Sequence, residues 1–151
     1  MFDDALMKRA MMQAELAFKK DEVPVGVVIV ETVSKKIVFE THNQMKIQQD
    51  STAHAEILAI QEVSKILKQE RLDQYDIYVT LEPCTMCAAA ISYARFKHLY
   101  FGAYDMKSGG VEHGAKFFDQ KTCHYKPRIL GGILEKENRA LIQKFFKQKR
   151  G

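Results

Sequence analysis

Apolar residues recur at helical spacing in four stretches of the chain. Aspartates precede the first stretch and Thr52 precedes the second, and each is able to cap a helix start. Pro83 suits the first turn of the third stretch, because proline lacks the N–H that this turn leaves unpaired. The four predicted helices are Asp4–Lys20, Ala53–Lys68, Pro83–Ala94 and Leu134–Lys149.

The runs between these helices are rich in β-branched and aromatic residues and predict strands. The first run is apolar almost throughout, which is typical of a strand buried on both faces. Ser34–Lys36 indicates a turn after it, and Gly102–Pro127 is irregular, with room for one short helix. The predicted strands are Val23–Val30, Ile37–Thr41, Ile77–Leu81, His98–Phe101 and a brief Ile129–Leu130.

Strands that alternate with helices favour an α/β fold. We expect a three-layer α/β/α sandwich around a mixed sheet of roughly five strands. The length of 151 residues suits one domain over residues 1–151, and 46% hydrophobic residues are enough for a core.

The net charge of +4 permits an anionic partner such as nucleic acid but does not require one. The first residues carry no signal-peptide pattern, and no apolar run is long enough to cross a bilayer. We therefore expect a cytoplasmic protein with no membrane partner.

The three cysteines do not predict a disulfide framework, because their number is odd and two stand in one C-x-x-C pair. That pair is Pro83-Cys84-Thr85-Met86-Cys87, directly after a predicted strand and at a predicted helix start. Residues three apart in a first helical turn lie on one side, so both sulfurs reach one ion at about 2.3 Å. The helix N-terminus also favours the thiolate that zinc requires.

The motif His54-Ala55-Glu56, at another predicted helix start, offers a third ligand and a proton carrier. Catalytic zinc sites commonly use three protein ligands and leave the fourth position to water. A carboxylate near that water moves protons without binding the metal. We therefore predict one Zn²⁺ per chain on His54, Cys84 and Cys87, with Glu56 as the catalytic residue.

Each motif alone has a plainer interpretation. H-x-E arises by chance in about one chain in five of this length, and P-C-x-x-C in about one in several hundred. The cysteine pair is otherwise a redox dithiol or two core residues, but a redox dithiol does not call for His-x-Glu on a neighbouring helix. The two motifs together favour the metal.

Other candidate residues carry weaker signals. Cys123-His124 is a possible additional metal pair, although adjacent residues rarely point at one ion. His98 begins a strand and is expected to be structural. His113 follows the glycine loop, where it is able to meet a substrate.

H-x-E followed by P-C-x-x-C resembles the cytidine and deoxycytidylate deaminase superfamily. Nearly the whole chain is similar to the bacterial tRNA-specific adenosine deaminases, a family within it. The segments that carry this similarity are Glu22–Gly26, Asn43, Thr52–Glu56, Leu81–Cys87, Gly102-Ala103, Asp105, Lys107, Gly109, Gly132–Leu134 and Phe145–Arg150.

The resemblance implies a cytidine deaminase-like fold and hydrolytic deamination of adenosine to inosine at the wobble position of a tRNA anticodon. It implies that zinc acidifies a bound water, which attacks C6 of adenine while Glu56 passes a proton to N1. It also implies a homodimer in which the anticodon stem-loop touches both subunits. The implied substrate-binding residues are Asn43, Asp105, Lys107, Lys147 and Arg150.

Four positions depart from the family pattern, which bears on loop packing and RNA contact. His42 stands where a large aromatic residue is expected, and Tyr104 where arginine is frequent. Met45 and Ser51 replace prolines that are common in the family.

Two other functions remain open at this point. One is a deaminase of a free nucleobase or nucleoside, of guanine or cytosine type. The other is a zinc-stabilised RNA-binding subunit without catalysis, although Glu56 argues against it because structural zinc sites usually have four protein ligands.

The last predicted helix bears on the choice between RNA and a free base. Leu134, Leu141, Ile142 and Phe145 are predicted to dock on the core. A basic stripe on the opposite side is predicted to stay in water, where it favours RNA because phosphate contacts supply much of the affinity. That stripe comprises Lys136, Arg139, Lys147 and Arg150, with Lys149 adding charge.

Overall fold

A five-stranded sheet separates two helical layers in the computed structural model, which describes residues 1–150. The helices are α1 (Asp4–Lys19), α2 (Ala55–Leu67), α3 (Thr85–Ala94) and α4 (Glu135–Arg150). The strands are β1 (Gly26–Glu31), β2 (Ile37–His42), β3 (Tyr75–Leu81), β4 (His98–Ala103) and β5 (Arg128–Leu130). A short 3₁₀ helix, Phe117–Asp119, lies in the segment predicted to be irregular.

The strand order is β2-β1-β3-β4-β5. Strand β1 runs antiparallel to both β2 and β3, whereas β3, β4 and β5 are parallel to one another. This arrangement confirms the predicted mixed sheet. The parallel β3–α3–β4 connection leaves the start of α3 at the carboxyl edge of β3.

Side chains alternate between the two faces of the sheet, as the twofold period of a strand requires. Val27, Ile29 and Ile77 belong to the core that α2 and α3 cover. Val28 and Tyr78 belong to a second core on the α1 side, where α4 also contacts the sheet. The predicted three layers are therefore confirmed.

Strand β1 begins at Gly26, so the prediction that it starts at Val23 was wrong. The N–H of Val25 bonds to the carbonyl of Val23 in a tight turn before the strand. Gly26 then passes so close to α1 that a Cβ would lie 1.9 Å from the carbonyl oxygen of Ala10. The turn directs Val23 and Val25 into the cavity described below.

The predicted cap Thr52 does not cap α2. Its backbone N–H and hydroxyl both donate to the carboxylate of Asp50, at 2.8 and 2.7 Å, so the helix begins two residues later than predicted. His54 occupies the N-cap position of α2, and Cys84 occupies that of α3, which Pro83 therefore precedes. Neither N-cap side chain bonds to its helix, which leaves both free for another partner.

Helix α4 buries Phe145 as predicted, edge-on to Phe18 of α1. It also buries Asn138, whose amide donates to the carbonyls of Ile133 and Leu134. Arg139 is exposed to water, as predicted, and it also lines the cavity described below. Within residues 1–150, every helix is too short or too polar to cross a membrane.

Candidate active site

Three potential metal ligands meet where the first turns of α2 and α3 face each other. The Nδ1 atom of His54 lies 3.6 Å from Sγ of Cys84 and 3.5 Å from Sγ of Cys87. All three atoms lie within 4.8 Å of one another. Within residues 1–150, no other group of three or more potential metal-binding side chains comes this close together.

These separations fit tetrahedral zinc. With Zn–S near 2.3 Å and Zn–N near 2.0–2.1 Å, a tetrahedral ion places nitrogen and sulfur about 3.6 Å apart. Both measured nitrogen–sulfur distances match this edge length. Two sulfurs and one imidazole nitrogen are a donor set that zinc prefers, and they leave one coordination position for a non-protein ligand.

The electrostatics of the cluster favour a thiolate. Hydrogen bonding from Cys87, then from His54, lowers the pKa of Cys84 to about 4 despite partial burial. The same hydrogen bond raises the pKa of Cys87, because it holds the proton between the two sulfurs. The bond to Cys84 raises the pKa of His54. Hydrogen bonding within the cluster thus favours a thiolate on Cys84, which is the form that zinc binds.

Glu56, in the first turn of α2, is almost completely buried beside this cluster. Burial raises its pKa to about 7, and the neighbouring charge of Cys84 adds to the rise, whereas its own backbone N–H and His54 oppose it. A carboxyl group with a pKa near neutrality accepts and releases a proton readily, as a general acid–base catalyst requires.

His54, Glu56 and Cys84 form part of the floor of a cavity of about 600 Å³. Asn43, directly after β2, is buried in its lining, and its Oδ1 atom has no hydrogen-bond partner. Asp105 and Lys107 line the cavity from the loop after β4. Of the predicted substrate residues, Lys147 and Arg150 lie outside this lining, exposed on the last turns of α4.

A second buried carboxylate, Glu82, was not predicted to have a role. It lines the same cavity and organises the loop after β4. Its oxygens accept the backbone N–H groups of Asp105, Val111, Glu112 and His113 and pair with the His113 ring at 2.8 Å. Burial opposes ionisation, but these bonds outweigh it and lower the pKa of Glu82.

One feature of the sequence does point to Glu82, namely the Gly109-Gly110 pair. A Cβ on Gly109 would lie 2.5 Å from the Glu82 carboxylate, and one on Gly110 would lie 2.5 Å from the backbone nitrogen of Thr85. The loop therefore needs both glycines to close on this carboxylate and on the start of α3.

The remaining candidates lie away from the metal ligands. His113 pairs with Glu82 and does not line the cavity. His98 pairs with the buried Asp76 at 2.8 Å and stacks on Tyr100, which is the structural role predicted for it. Cys123 contacts Ser92 and the carbonyl of Tyr125, and it does not belong to the cluster.

The positions that depart from the family pattern are also accounted for. His42 is buried, with its ring near the side chain of Gln13, and burial lowers its pKa. Met45 and Tyr104 line the cavity, whereas Ser51 is exposed in a turn.

Comparison with known proteins places the chain in a family. Residues 1–103 match the cytidine and deoxycytidylate deaminase zinc-binding region. A tRNA-specific adenosine deaminase of Rickettsia felis is 46% identical over 142 residues, which cover 94% of this chain and 99% of the relative.

Solved structures agree. A tRNA A34 deaminase, studied for A-to-I editing at the wobble position, superposes with a TM-score of 0.89 and 45% identity, covering 92% of this chain and 99% of its own. A guanine deaminase of Nitrosomonas europaea shares the fold at a TM-score of 0.82 but only 18% identity, covering 95% and 84%. The chain belongs to the zinc-dependent tRNA-specific adenosine deaminases, a family with the cytidine deaminase-like fold.

Proposed function

We propose that this protein deaminates adenosine to inosine at the wobble position of a tRNA anticodon. The observation that carries the proposal is the 46% identity to tRNA-specific adenosine deaminases over nearly the whole of both chains. The geometry of the three ligands and the buried Glu56 supports it independently, because it provides what hydrolytic deamination requires.

His54, Cys84 and Cys87 hold the zinc ion in this proposal. When bound, zinc is a Lewis acid that lowers the pKa of a water molecule toward neutrality. Glu56 takes a proton from the attacking water and delivers it to N1 of adenine. The water oxygen bonds to C6, Glu56 moves the second water proton to the amino nitrogen, and the bond from C6 to that nitrogen breaks. Ammonia leaves with this second proton, and inosine keeps the first one on N1.

The cavity walls position the base in this proposal. Asn43 has a buried, unpaired Oδ1 that bonds to the base or its ribose. Asp105 and Lys107 contact the nucleotide from the loop that Glu82 anchors. The volume of about 600 Å³ accommodates one flipped nucleoside. An unpaired anticodon base costs less to flip than a base in a duplex.

Further features of the proposal concern binding outside the cavity. Lys147 and Arg150 contact RNA phosphates from the exposed end of α4. Two copies of the chain form a homodimer, with the anticodon stem-loop touching both. The protein works in the cytoplasm, where its tRNA substrate resides.

The test is incubation of the zinc-loaded protein with an anticodon stem-loop that carries adenosine at the wobble position, followed by inosine detection. We expect inosine in this hairpin and little turnover of free adenine, guanine or cytidine. A hairpin with guanosine at the wobble position is the matched control. Rapid turnover of a free base without inosine in the hairpin would instead identify a free-base deaminase.

A further inference from the structure

Helix α4 presents to the cavity a face that is distinct from its exposed basic end. Residues spaced as one face of a helix line the cavity, namely Arg139, Ile142, Gln143 and Phe146. The predicted basic stripe groups Arg139 with Lys147 and Arg150, and of these three residues Arg139 is the one that lines the cavity.

Exposure increases from the floor of the cavity to this face. Glu56 on the floor is 4% exposed, whereas Phe146 is 43% exposed and the side chain of Arg139 is 50% exposed. Arg139 therefore stands at the rim, where a strand enters when its base occupies the floor. When a neutral base lies on the floor of the cavity, the charged phosphates of its strand lie at the rim, beside Arg139.

The guanidinium of Arg139 forms an ion pair with Glu135 and still has N–H donors available for a ligand. Its Nη1 atom lies 2.8 Å from Oε1 of Glu135, which is its one ionic partner within residues 1–150. The other oxygen of Glu135 accepts the backbone N–H of Tyr104 at 3.2 Å, which connects the helix to the loop across the rim. A guanidinium has five N–H donors, so one ionic partner leaves several for a ligand.

Arg139 and Lys107 are the two cationic side chains of the lining, apart from the metal ligand His54. They come from different elements, α4 and the loop after β4. We propose that Arg139 binds a phosphate of the RNA strand that flanks the flipped adenosine, with Glu135 as the positioning residue. This inference rests on the proposed function, since it takes an RNA strand as the substrate.

The experiment measures binding of a fluorescent anticodon stem-loop with wobble adenosine by the zinc-loaded protein, across a range of salt concentrations. For Arg139→Gln we expect a Kd about fivefold higher at low salt, the effect of one exposed charged hydrogen bond. The slope of log Kd against log salt should shrink by about 0.7–0.9, the value for one phosphate contact. Arg139→Lys should retain most of the slope, because it keeps the positive charge.

Lys136→Gln is the matched control, because Lys136 is exposed on the same helix, outside the cavity lining. It should leave the slope unchanged, which separates a contact from a general effect of charge. An unchanged slope in Arg139→Gln, or an equal reduction of the slope in Lys136→Gln, would overturn the inference about Arg139. The proposed function would still stand in that case, provided that the wild type forms inosine in the hairpin. A wild type that forms no inosine in the hairpin overturns both.

Discussion

Glu56 and Glu82 line the same cavity and are both almost fully buried, at 4% and 2% exposure. Burial raises the pKa of Glu56 to about 7, whereas four backbone N–H groups and the His113 ring lower that of Glu82. The wall formed by the starts of α2 and α3 thus leaves its polar groups available for chemistry. In the wall formed by the loop after β4, the Glu82 carboxylate accepts hydrogen bonds from that loop and so stabilises it.

Two identical side chains thus differ in function because their surroundings supply different numbers of hydrogen-bond donors. A carboxylate surrounded by donors is fixed as an anion and stabilises the fold, while one without enough donors shares its proton readily. Asn43 belongs with Glu56 in this respect, because its buried Oδ1 is unpaired within the protein. We expect substitutions of groups paired within the protein to lower stability, and substitutions of unpaired groups to lower the reaction rate.

The largest effect is expected from Cys87→Ala, which removes one of the three proposed metal ligands. We expect zinc content to fall from about one per chain to near zero, with loss of activity and stability together, because metal binding and folding are coupled. Cys123→Ala is the matched control and should retain zinc, since Cys123 lies outside the cluster. Elemental analysis decides, and full zinc occupancy in Cys87→Ala would refute the ligand assignment.

Glu56→Gln comes next. The amide keeps the size and polarity of the side chain but cannot carry a proton, so we expect a loss of at least about a hundredfold in deamination rate. Zinc content should be unchanged and the melting temperature should not fall, because the variant removes a costly buried charge. Near-normal turnover of the hairpin would exclude Glu56 as the proton carrier.

Glu82→Gln should affect stability instead. An amide oxygen accepts fewer of the surrounding N–H groups, and its NH₂ group opposes others, so we expect about 2–3 kcal/mol of destabilisation at pH 7. That corresponds to a melting temperature lower by ~5–10 °C for a chain of this size. Thermal unfolding monitored by circular dichroism measures it, and an unchanged transition would show that the loop does not depend on this carboxylate.

The pH dependence of stability in wild type and Glu82→Gln shows which form of the carboxyl group stabilises the loop. Because the folded-state pKa of Glu82 lies below its ordinary value of 4.5, its contribution is fully present above that value and is lost as the pH falls further. The difference in unfolding free energy between wild type and Glu82→Gln should therefore narrow below pH 4.5. A difference that stays constant down to the acid transition would mean that the ionised form is not what stabilises the loop.

The smallest effect is expected from Asn43→Ala. We expect kcat/KM for the hairpin to fall by about tenfold, the value of one hydrogen bond to a substrate of about 1.4 kcal/mol. Stability should change little, because the side-chain oxygen of Asn43 has no partner in the protein. Steady-state kinetics and thermal unfolding test both statements, and a fall in stability with unchanged kinetics would reverse the assignment.

The metal centre was predictable from the sequence because its ligands lie in two short local motifs. The two motifs predict one site as soon as the starts of α2 and α3 are expected to lie together. The parallel β3–α3–β4 connection places the start of α3 at the sheet edge where it meets His54. The helical and strand periods likewise predicted every main element, since burial follows the spacing of apolar residues.

The rest depends on contacts between residues distant in the sequence. Glu82 acquires its role from N–H groups more than twenty residues away, and the Gly109-Gly110 pair is the one feature of the sequence that marks this contact. Thr52 resembles a cap, but Asp50 takes its hydrogen bonds. The helical spacing puts Arg139 on the same face as Lys147 and Arg150. That Arg139 lines the cavity, whereas the other two do not, depends on how α4 packs on the rest of the fold.

The most direct test of this division of labour is the single-turnover rate of inosine formation in the wobble-adenosine hairpin, measured on zinc-loaded Glu56→Gln and Glu82→Gln below both melting temperatures. We expect Glu56→Gln to be slower than wild type by at least about a hundredfold, and Glu82→Gln to stay within about tenfold of it. Equal losses in the two variants, or the greater loss in Glu82→Gln, would contradict the account.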